Sequence, residues 1–191
     1  MEKEDLDILY DYGVRHIVDL RSDRAKQRDV SVALDDPRFD LHEYLIKAGE
    51  QLPIDREDNV RIYEEMFESA GELSEILHEI LRLGRGTLIH CAAGKDRTGV
   101  VTSLLLLIAG CDDNAINENY LIGFDDLEEH VARLKIRHPD LTPAYDAKDP
   151  TFLMDVGKRI CRKYKTKENY YAFLGLTELD LRGLREFMLG E

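Results

Sequence analysis

Hydrophobic positions repeat at helical spacing through most of this chain. Residues 3–12 and 60–70 each place their apolar side chains on one face of a predicted helix. The clearest stripe follows an i, i+3, i+4, i+7, i+8 spacing and predicts a helix that Gly84 ends, formed by Leu73, Ile76, Leu77, Ile80 and Leu81. Further helices are predicted over 112–123, 124–138, 152–164 and 178–189.

Short apolar runs between these helices predict strands at 14–20, 39–46 and 87–89. Residues 23–38 are polar and predicted to be irregular, residues 47–58 form a predicted loop, and the proline-containing residues 139–150 form another. No repeat or linker interrupts the pattern. We therefore expect residues 1–191 to form one compact α/β domain that is rich in helix.

Charge and cysteine content narrow the class of protein. Asp and Glu number 39 against 26 Lys and Arg, a formal net charge of -13, which disfavours nucleic acid as a partner. No apolar run is long enough to span a bilayer, and the acidic start lacks a signal core, so we expect no stable membrane insertion and no secretion. Cys91, Cys111 and Cys161 fit neither a disulfide framework nor a zinc pattern, and Cys111 and Cys161 are expected in the core. A reducing cytoplasm fits this cysteine usage best.

The stretch 86–110, GTLIHCAAGKDRTGVVTSLLLLIAG, carries the candidate chemistry. A strand, a tight loop and a long apolar helix follow one another, an order that directs loop amides and the helix N-terminus at one anion. Cys91 lies at the mouth of that loop, where these groups and a guanidinium would favour the thiolate. Gly94 allows the turn, Arg97 can hold two phosphate oxygens, and Thr98 can donate a hydrogen bond to the sulfur.

Two nucleotide-binding patterns are excluded. The P-loop pattern requires a glycine where this chain has Ile89, and Ser or Thr where it has Asp96. The dinucleotide pattern G-x-G-x-x-G is absent.

The ten residues HCAAGKDRTG resemble the signature of the cysteine-based protein tyrosine phosphatase superfamily. More narrowly, they resemble bacterial atypical tyrosine/dual-specificity phosphatases that carry Lys-Asp in this loop. Residues 13–22 and 171–189 are also similar to that family. The resemblance implies a phosphatase fold with a small central, mostly parallel sheet flanked by many helices.

The resemblance also implies a mechanism that needs no metal or cofactor. Cys91 would attack phosphorus and form a phosphocysteine, which water then hydrolyses. The phosphoryl group would be held by Arg97 and by the amides of the loop, formed by Ala92, Ala93, Gly94, Lys95, Asp96 and Arg97.

Family members usually carry an extra N-terminal segment before the helix at which this chain begins. We expect either that the sequence is truncated or that the sheet is smaller than usual.

We also predict that residues 124–150 fold as a lid over the pocket.

Three aspartates compete as the acid that protonates the leaving oxygen. Asp55 and Asp58 lie at the distance before Cys91 that many tyrosine phosphatases use, and plain helix capping before Val60 is the alternative for both. The Lys-Asp subgroup instead implies Asp96, which we favour.

Two further charged positions are predicted near the loop. Asp19 and Arg21 follow a strand and would either contact substrate or form an ion pair that orients Arg97 or Lys95. Lys95 would either help to bind a multiply phosphorylated ligand or point to solvent.

Phosphatase activity is the leading hypothesis, and two others stay open. One is an arsenate-reductase or rhodanese-like thiol enzyme, and the other is a non-catalytic phosphoprotein-binding module. For a phosphatase, the expected partner is a phosphorylated protein, a phosphoinositide or an inositol phosphate.

Overall fold

A computed structural model describes residues 3–48, 52–125 and 127–190 of the chain. Within these residues, the strands β1 (His16–Asp19), β2 (Asp40–Glu43) and β3 (Thr87–His90) form one parallel sheet in the order β2-β1-β3. The central strand β1 buries the successive residues Ile17 and Val18 completely, so both faces of the sheet are covered. The expectation of a small parallel sheet in an α/β fold is confirmed.

Helices make up most of the remaining described chain. In chain order they are α1 (Lys3–Asp11), α2 (Asp23–Arg28), α3 (Arg56–Phe67), α4 (Ala70–Leu83), α5 (Asp96–Ala109), α6 (Asp113–Ile122), α7 (Glu128–Arg137), α8 (Phe152–Tyr164), α9 (Lys167–Phe173) and α10 (Glu178–Leu189). Over the ranges that the structure covers, each helix is too short or too polar to cross a bilayer.

Two apolar clusters hold the layers together. The smaller one joins Leu6 of α1 to Ile17 on one face of the sheet. The larger one contains Val18 and lies on the other face, among α3, α4, α5, α8 and α10. Helix α5 is apolar on nearly every side because it runs through this larger cluster. Its N-terminus is thereby held rigidly at the end of β3.

The structure differs from the sequence prediction at several elements. Residues 23–38 contain α2, which Ser22 caps and which buries no residue, so it has no apolar stripe to detect. Helix α9 was likewise missed, since seven residues make too short a stripe. Helix α7 begins at Glu128, after a turn at 123–125, and not at residue 124. Strand β2 covers only Asp40–Glu43 of the predicted 39–46.

Helix α3 begins at Arg56, earlier than predicted, because Asp55 accepts a hydrogen bond from the amide of Asp58 and caps it. The predicted loop at 47–58 lies partly outside the described residues, at 49–51, and residue 126 of the predicted helix 124–138 does so too.

Candidate active site

The loop 91–95 connects the end of β3 to the start of α5. Gly94 has a φ of +69°, a left-handed conformation that favours glycine and lets the loop curl. The first turn of α5 leaves backbone N–H groups without helical partners at this point. Cys91 follows β3 directly and is only 9% exposed. The structure therefore brings a sheltered thiol to a helix N-terminus, as the sequence predicts.

Cys91 and Arg97 line the same cavity, which has a volume of about 320 Å³. Ala92, Ala93 and Asp96 line it as well, whereas Gly94 and Lys95 are not among its lining residues in the described chain. The Nε of Arg97 is buried and has no hydrogen-bond partner within the described residues. A guanidinium held at a cavity wall with an unpaired donor is suited to an anionic ligand.

Thr98 differs from the sequence expectation. Its Oγ1 is buried and makes no hydrogen bond to a described residue, the sulfur of Cys91 included. The hydroxyl is therefore without the predicted contact to the thiol in this structure.

The carboxylate of Asp96 is bound by neighbouring side chains through one of its two oxygens. Its Oδ1 accepts a hydrogen bond of 2.6 Å from the Tyr63 hydroxyl and also pairs with Nζ of Lys95. Both contacts use the same carboxylate oxygen, so no described side chain occupies Oδ2. Because Asp96 lines the cavity beside Cys91 and Arg97, its second oxygen is available to a bound ligand.

Lys95 is buried, with 1% of its surface exposed, so the alternative in which it points to solvent is wrong. Its Nζ lies 4.9 Å from the ring centroid of Tyr145 and 5.2 Å from that of Phe124. Aromatic faces stabilise a cation that has left water. Within the described chain, Lys95 balances the charge of Asp96 behind the cavity.

Two tyrosines beside Asp96, of which Tyr63 lines the cavity, were not found from the sequence. The hydroxyls of Tyr63 and Tyr120 lie 2.9 Å apart, and since Tyr63 donates to Asp96, Tyr120 donates to Tyr63. Burial raises the pKa of Tyr63 well above its usual value, and the neighbouring Asp96 raises it further. Burial likewise raises the pKa of Tyr120, so both stay protonated donors. The apolar stripe of α3 had placed Tyr63 in the core without indicating a polar role.

Gly99 makes room for this tyrosine pair. A Cβ at that position would lie 3.0 Å and 3.3 Å from two ring carbons of Tyr120. The glycine after the loop's threonine therefore lets Tyr120 pack against α5 and reach Tyr63.

Asp19 and Arg21 form an ion pair with each other and lie beside the loop's base. The guanidinium of Arg21 contacts both carboxylate oxygens of Asp19, at 2.6 Å for the shortest contact. Burial raises the pKa of Asp19, but the hydrogen bonds from Arg21 outweigh it and hold that pKa below its usual value. Asp19 also lies 3.9 Å from Nε2 of His90, the residue before Cys91. In the described chain, Asp19 therefore pairs with Arg21 and faces His90, and neither Arg97 nor Lys95 is its partner.

Asp55 and Asp58 lie at the start of α3, outside the cavity lining. Asp55 accepts from the amide of Asp58, and Asp58 accepts from the amide of Ile54 at 3.0 Å and from Arg61. Hydrogen bonds and the neighbouring Arg61 hold the pKa of Asp58 below its usual value. These contacts match the capping alternative.

Residues of α7 and of the loop that follows it form part of the cavity wall. His130 and Tyr145 both line it, and the Tyr145 hydroxyl lies 3.2 Å from Nε2 of His130. Burial lowers the pKa of His130 and raises that of Tyr145. Segment 124–150 thus contributes side chains to the cavity that contains Cys91.

Arginines surround the cavity mouth although the chain is acidic overall. Arg24 and Arg28 of α2 and Arg137 of α7 are exposed lining residues. Sequence reasoning missed all three, because exposed arginines are common and nothing in the pattern places α2 beside α7. They give the cavity a positive rim on a chain of net charge -13.

The other two cysteines lie away from the cavity. Cys111 is half-buried and Cys161 is exposed on α8, so the prediction that both lie in the core is wrong for Cys161. The apolar neighbours of Cys161 had suggested burial, but the residue lies on the outer side of its helix.

The sequence of this chain is similar to those of known proteins. A model of the tyrosine phosphatase family matches residues 1–190. A tyrosine-protein phosphatase of Nostoc commune is 29% identical over 132 residues, which cover 65% of this chain and 45% of that protein. The triple specificity protein phosphatase PtpB of Mycobacterium tuberculosis is 38% identical over 71 residues, which cover 36% of this chain and 26% of that protein. The chain thus spans less than half the length of these relatives.

Proposed function

Because the chain belongs to the tyrosine phosphatase family, we propose that it hydrolyses phosphomonoesters with Cys91 as nucleophile. The observation that carries the proposal is that Cys91 and Arg97 line one cavity at the N-terminus of α5. The unpaired, buried Nε of Arg97 is a donor placed for a phosphate oxygen. We place the reaction in the cytoplasm, because a reducing compartment keeps Cys91 a free thiol.

The reaction has two steps. The Cys91 thiolate attacks phosphorus, an S–P bond forms, and the P–O bond to the alcohol or phenol breaks. Water then attacks the phosphocysteine, releasing inorganic phosphate and the thiolate. Arg97 and the loop amides of residues 92–97 hold the equatorial oxygens in both steps, where negative charge accumulates.

Asp96 is our candidate for the acid that protonates the leaving oxygen. Its Oδ1 is anchored by Tyr63 and Lys95, which leaves Oδ2 to carry the proton toward the cavity. In the second step the same oxygen takes a proton from water. Asp55 and Asp58 are occupied in capping α3, which makes them weaker candidates.

The substrate we propose carries negative charge beyond the scissile phosphate. Arg24, Arg28 and Arg137 at the cavity mouth would attract such a group. A phosphorylated protein segment with acidic neighbours and a phosphoinositide headgroup both meet this requirement. Segment 124–150, which supplies His130 and Tyr145, would act as a lid that shields the phosphocysteine from premature water.

Turnover of p-nitrophenyl phosphate, with reductant and chelator present, tests the activity. We expect hydrolysis by the unaltered chain and loss to background in Cys91→Ser. Cys161→Ser is the matched control and should retain full activity, since that thiol is exposed on another helix. Full activity in Cys91→Ser would refute the mechanism.

The two alternative functions give different results in the same preparation. A rhodanese-like enzyme would transfer sulfur from thiosulfate without hydrolysing phosphate esters. A binding module would bind phosphopeptide without releasing phosphate.

The identity of the acid is tested by the leaving group. Phenol is a poorer leaving group than p-nitrophenol and needs its proton more, so Asp96→Asn should slow phenyl phosphate far more than p-nitrophenyl phosphate. A general acid typically contributes about 10²- to 10⁴-fold. Asp55→Asn and Asp58→Asn should leave the ratio of the two rates unchanged. An equal loss on both substrates in Asp96→Asn would exclude the proposed role.

A further inference from the structure

A cluster of two histidines and one aspartate lies on the sheet, away from the cavity. His16 begins β1, and its register partner across the parallel ladder is Asp40 at the start of β2. His42 follows Asp40 by two residues, so the two side chains share one face of the strand. One donor atom from each of the three residues lies within 4.8 Å of the others.

Each histidine of the cluster has a nitrogen without a hydrogen bond. Nδ1 of His42 lies 2.9 Å from the Glu79 carboxylate on α4, so Nδ1 carries a proton, and in the neutral imidazole the free lone pair belongs to Nε2. That Nε2 is buried and has no hydrogen-bond partner among the described residues. Nδ1 of His16 lies 3.3 Å from Oδ2 of Asp40 but is also buried without a hydrogen bond. Unpaired buried nitrogens are unfavourable unless something else uses their lone pairs.

The spacing and the donor types fit a zinc ion. Ligands about 2.0–2.1 Å from Zn²⁺ in tetrahedral geometry lie roughly 3.3 Å apart. The separation between Nδ1 of His16 and Oδ2 of Asp40 is 3.3 Å. Asp40 is 72% exposed, so its carboxylate is free to adjust its position toward a bound ion. Imidazole together with a carboxylate is a common ligand set for zinc.

Glu79 supplies the support that metal-binding histidines usually have. A ligating histidine almost always donates its other ring N–H to a carboxylate or carbonyl, which fixes the tautomer that binds metal. His42 is arranged in this way, because Nδ1 contacts Glu79 and Nε2 is left as the nitrogen that could bind a metal ion. Glu79 is itself held by two hydrogen bonds from Arg82.

We propose that His16, Asp40 and His42 bind one Zn²⁺ ion, with water in the fourth position on the exposed side. Glu79 is a positioning residue that orients His42. The ion would tie β1 to β2 and, through Glu79, to α4. His16 and Asp40 begin β1 and β2, whereas Cys91 follows the end of β3, and none of the three proposed ligands lines the cavity that contains Cys91. The ion would therefore be structural, and the proposal does not depend on phosphatase activity.

Zinc titration of the full chain, in competition with a chromophoric chelator, tests the site. The three cysteines are replaced by serine, so that no thiol competes for the metal, and circular dichroism checks the fold. We expect one equivalent of Zn²⁺ to bind and to raise the melting temperature, and Co²⁺ to give the visible absorption of a tetrahedral site. His16→Ala and His42→Ala should each lose both effects. Asp40→Asn, at an exposed position that does not threaten folding, should weaken binding at least tenfold.

Two further variants separate a built site from adventitious binding. Glu79→Gln should weaken zinc binding by about 10- to 100-fold, the usual range for an orienting partner. His78→Ala is the matched control, because His78 also lies on α4 and faces a carboxylate, at 3.4 Å from Asp180, but outside the cluster. The affinity of the His78→Ala variant for Zn²⁺ should equal that of the unaltered chain. Absence of a saturable single equivalent, or affinity that is unaffected in both His16→Ala and His42→Ala, would overturn the proposal.

Discussion

Removing the Tyr63 hydroxyl should loosen Asp96 and destabilise the chain at once. In Tyr63→Phe, Asp96 loses a 2.6 Å hydrogen bond, and hydrogen bonds to charged groups contribute about 1.5–3 kcal/mol. The Tyr120 hydroxyl loses its acceptor at 2.9 Å, and leaving a buried polar group unpaired costs about 1–3 kcal/mol. Since the two contacts share one oxygen, the losses overlap. We expect the free energy of unfolding to fall by about 2–4 kcal/mol.

Tyr120→Phe is the matched control for this change. It removes the same number of atoms from the same buried pair but keeps the bond between Tyr63 and Asp96. The Tyr63 hydroxyl then still donates its hydrogen bond to Asp96 and loses only the bond that it accepts from Tyr120. The free energy of unfolding should therefore fall by about 0.5–1.5 kcal/mol. The difference between the two variants isolates the bond to the carboxylate.

Urea unfolding measures the stability of each variant. The ratio of the rates on phenyl and p-nitrophenyl phosphate measures how much proton donation by Asp96 contributes to catalysis. Tyr63→Phe should lower the rate on phenyl phosphate by roughly tenfold beyond any loss on p-nitrophenyl phosphate, because Asp96 is less well oriented. Tyr120→Phe should not change that ratio. Equal destabilisation by the two variants, or an unchanged ratio in Tyr63→Phe, would show that Tyr63 does not orient Asp96.

Three further substitutions test contacts made in and around the loop. Lys95→Met should destabilise the chain by about 2 kcal/mol in urea unfolding, less than the 3–5 kcal/mol typical of a broken buried pair, because Asp96 is 26% exposed and water can reach it. In Gly99→Ala the new methyl group would press on the Tyr120 ring, which packs against Tyr63 and Phe124 and has little room to move, at a cost of about 1–3 kcal/mol. Alanine in a helix offsets up to about 1 kcal/mol of this, so we expect a net loss of about 1–2 kcal/mol in the same assay. The lowered pKa of Asp19 contributes stability that is present above the unfolded pKa near 4 and is lost as pH falls through the folded value. Asp19→Asn should therefore flatten the decline of stability below about pH 4, and an unchanged acid transition would contradict the ion pair's role.

The pattern of apolar positions located the longest helices and the strands. The stripe of α4 was predicted within a few residues because one broad buried face leaves a strong 3.6-residue pattern. Helix α5 was predicted from its long apolar run, since it is buried on nearly every side. Helix α2 escaped detection because it buries nothing, and its cap at Ser22 is a signal too common to stand alone. Whether a short exposed segment forms a helix depends on its contacts with neighbouring segments, and a local sequence pattern does not record those contacts.

The residues that carry the proposed chemistry of the loop are set by the sequence itself. Cys91 and Arg97 are close in the chain, and the strand, turn and helix around them leave few ways to arrange the loop. Their position in one cavity follows from local geometry, which sequence encodes directly.

The surroundings of that loop were decided only by the tertiary structure. Asp96 meets Tyr63 across 33 positions of chain, and the arginine rim forms because α2 and α7 meet at one opening. The pairing of His16 with Asp40 likewise depends on strand register. Contacts between distant segments depend on how whole elements pack, and one sequence pattern carries no record of which elements become neighbours. The sequence thus determined the candidate nucleophile and the loop around it, and packing decided which groups hold Asp96 in place beside them.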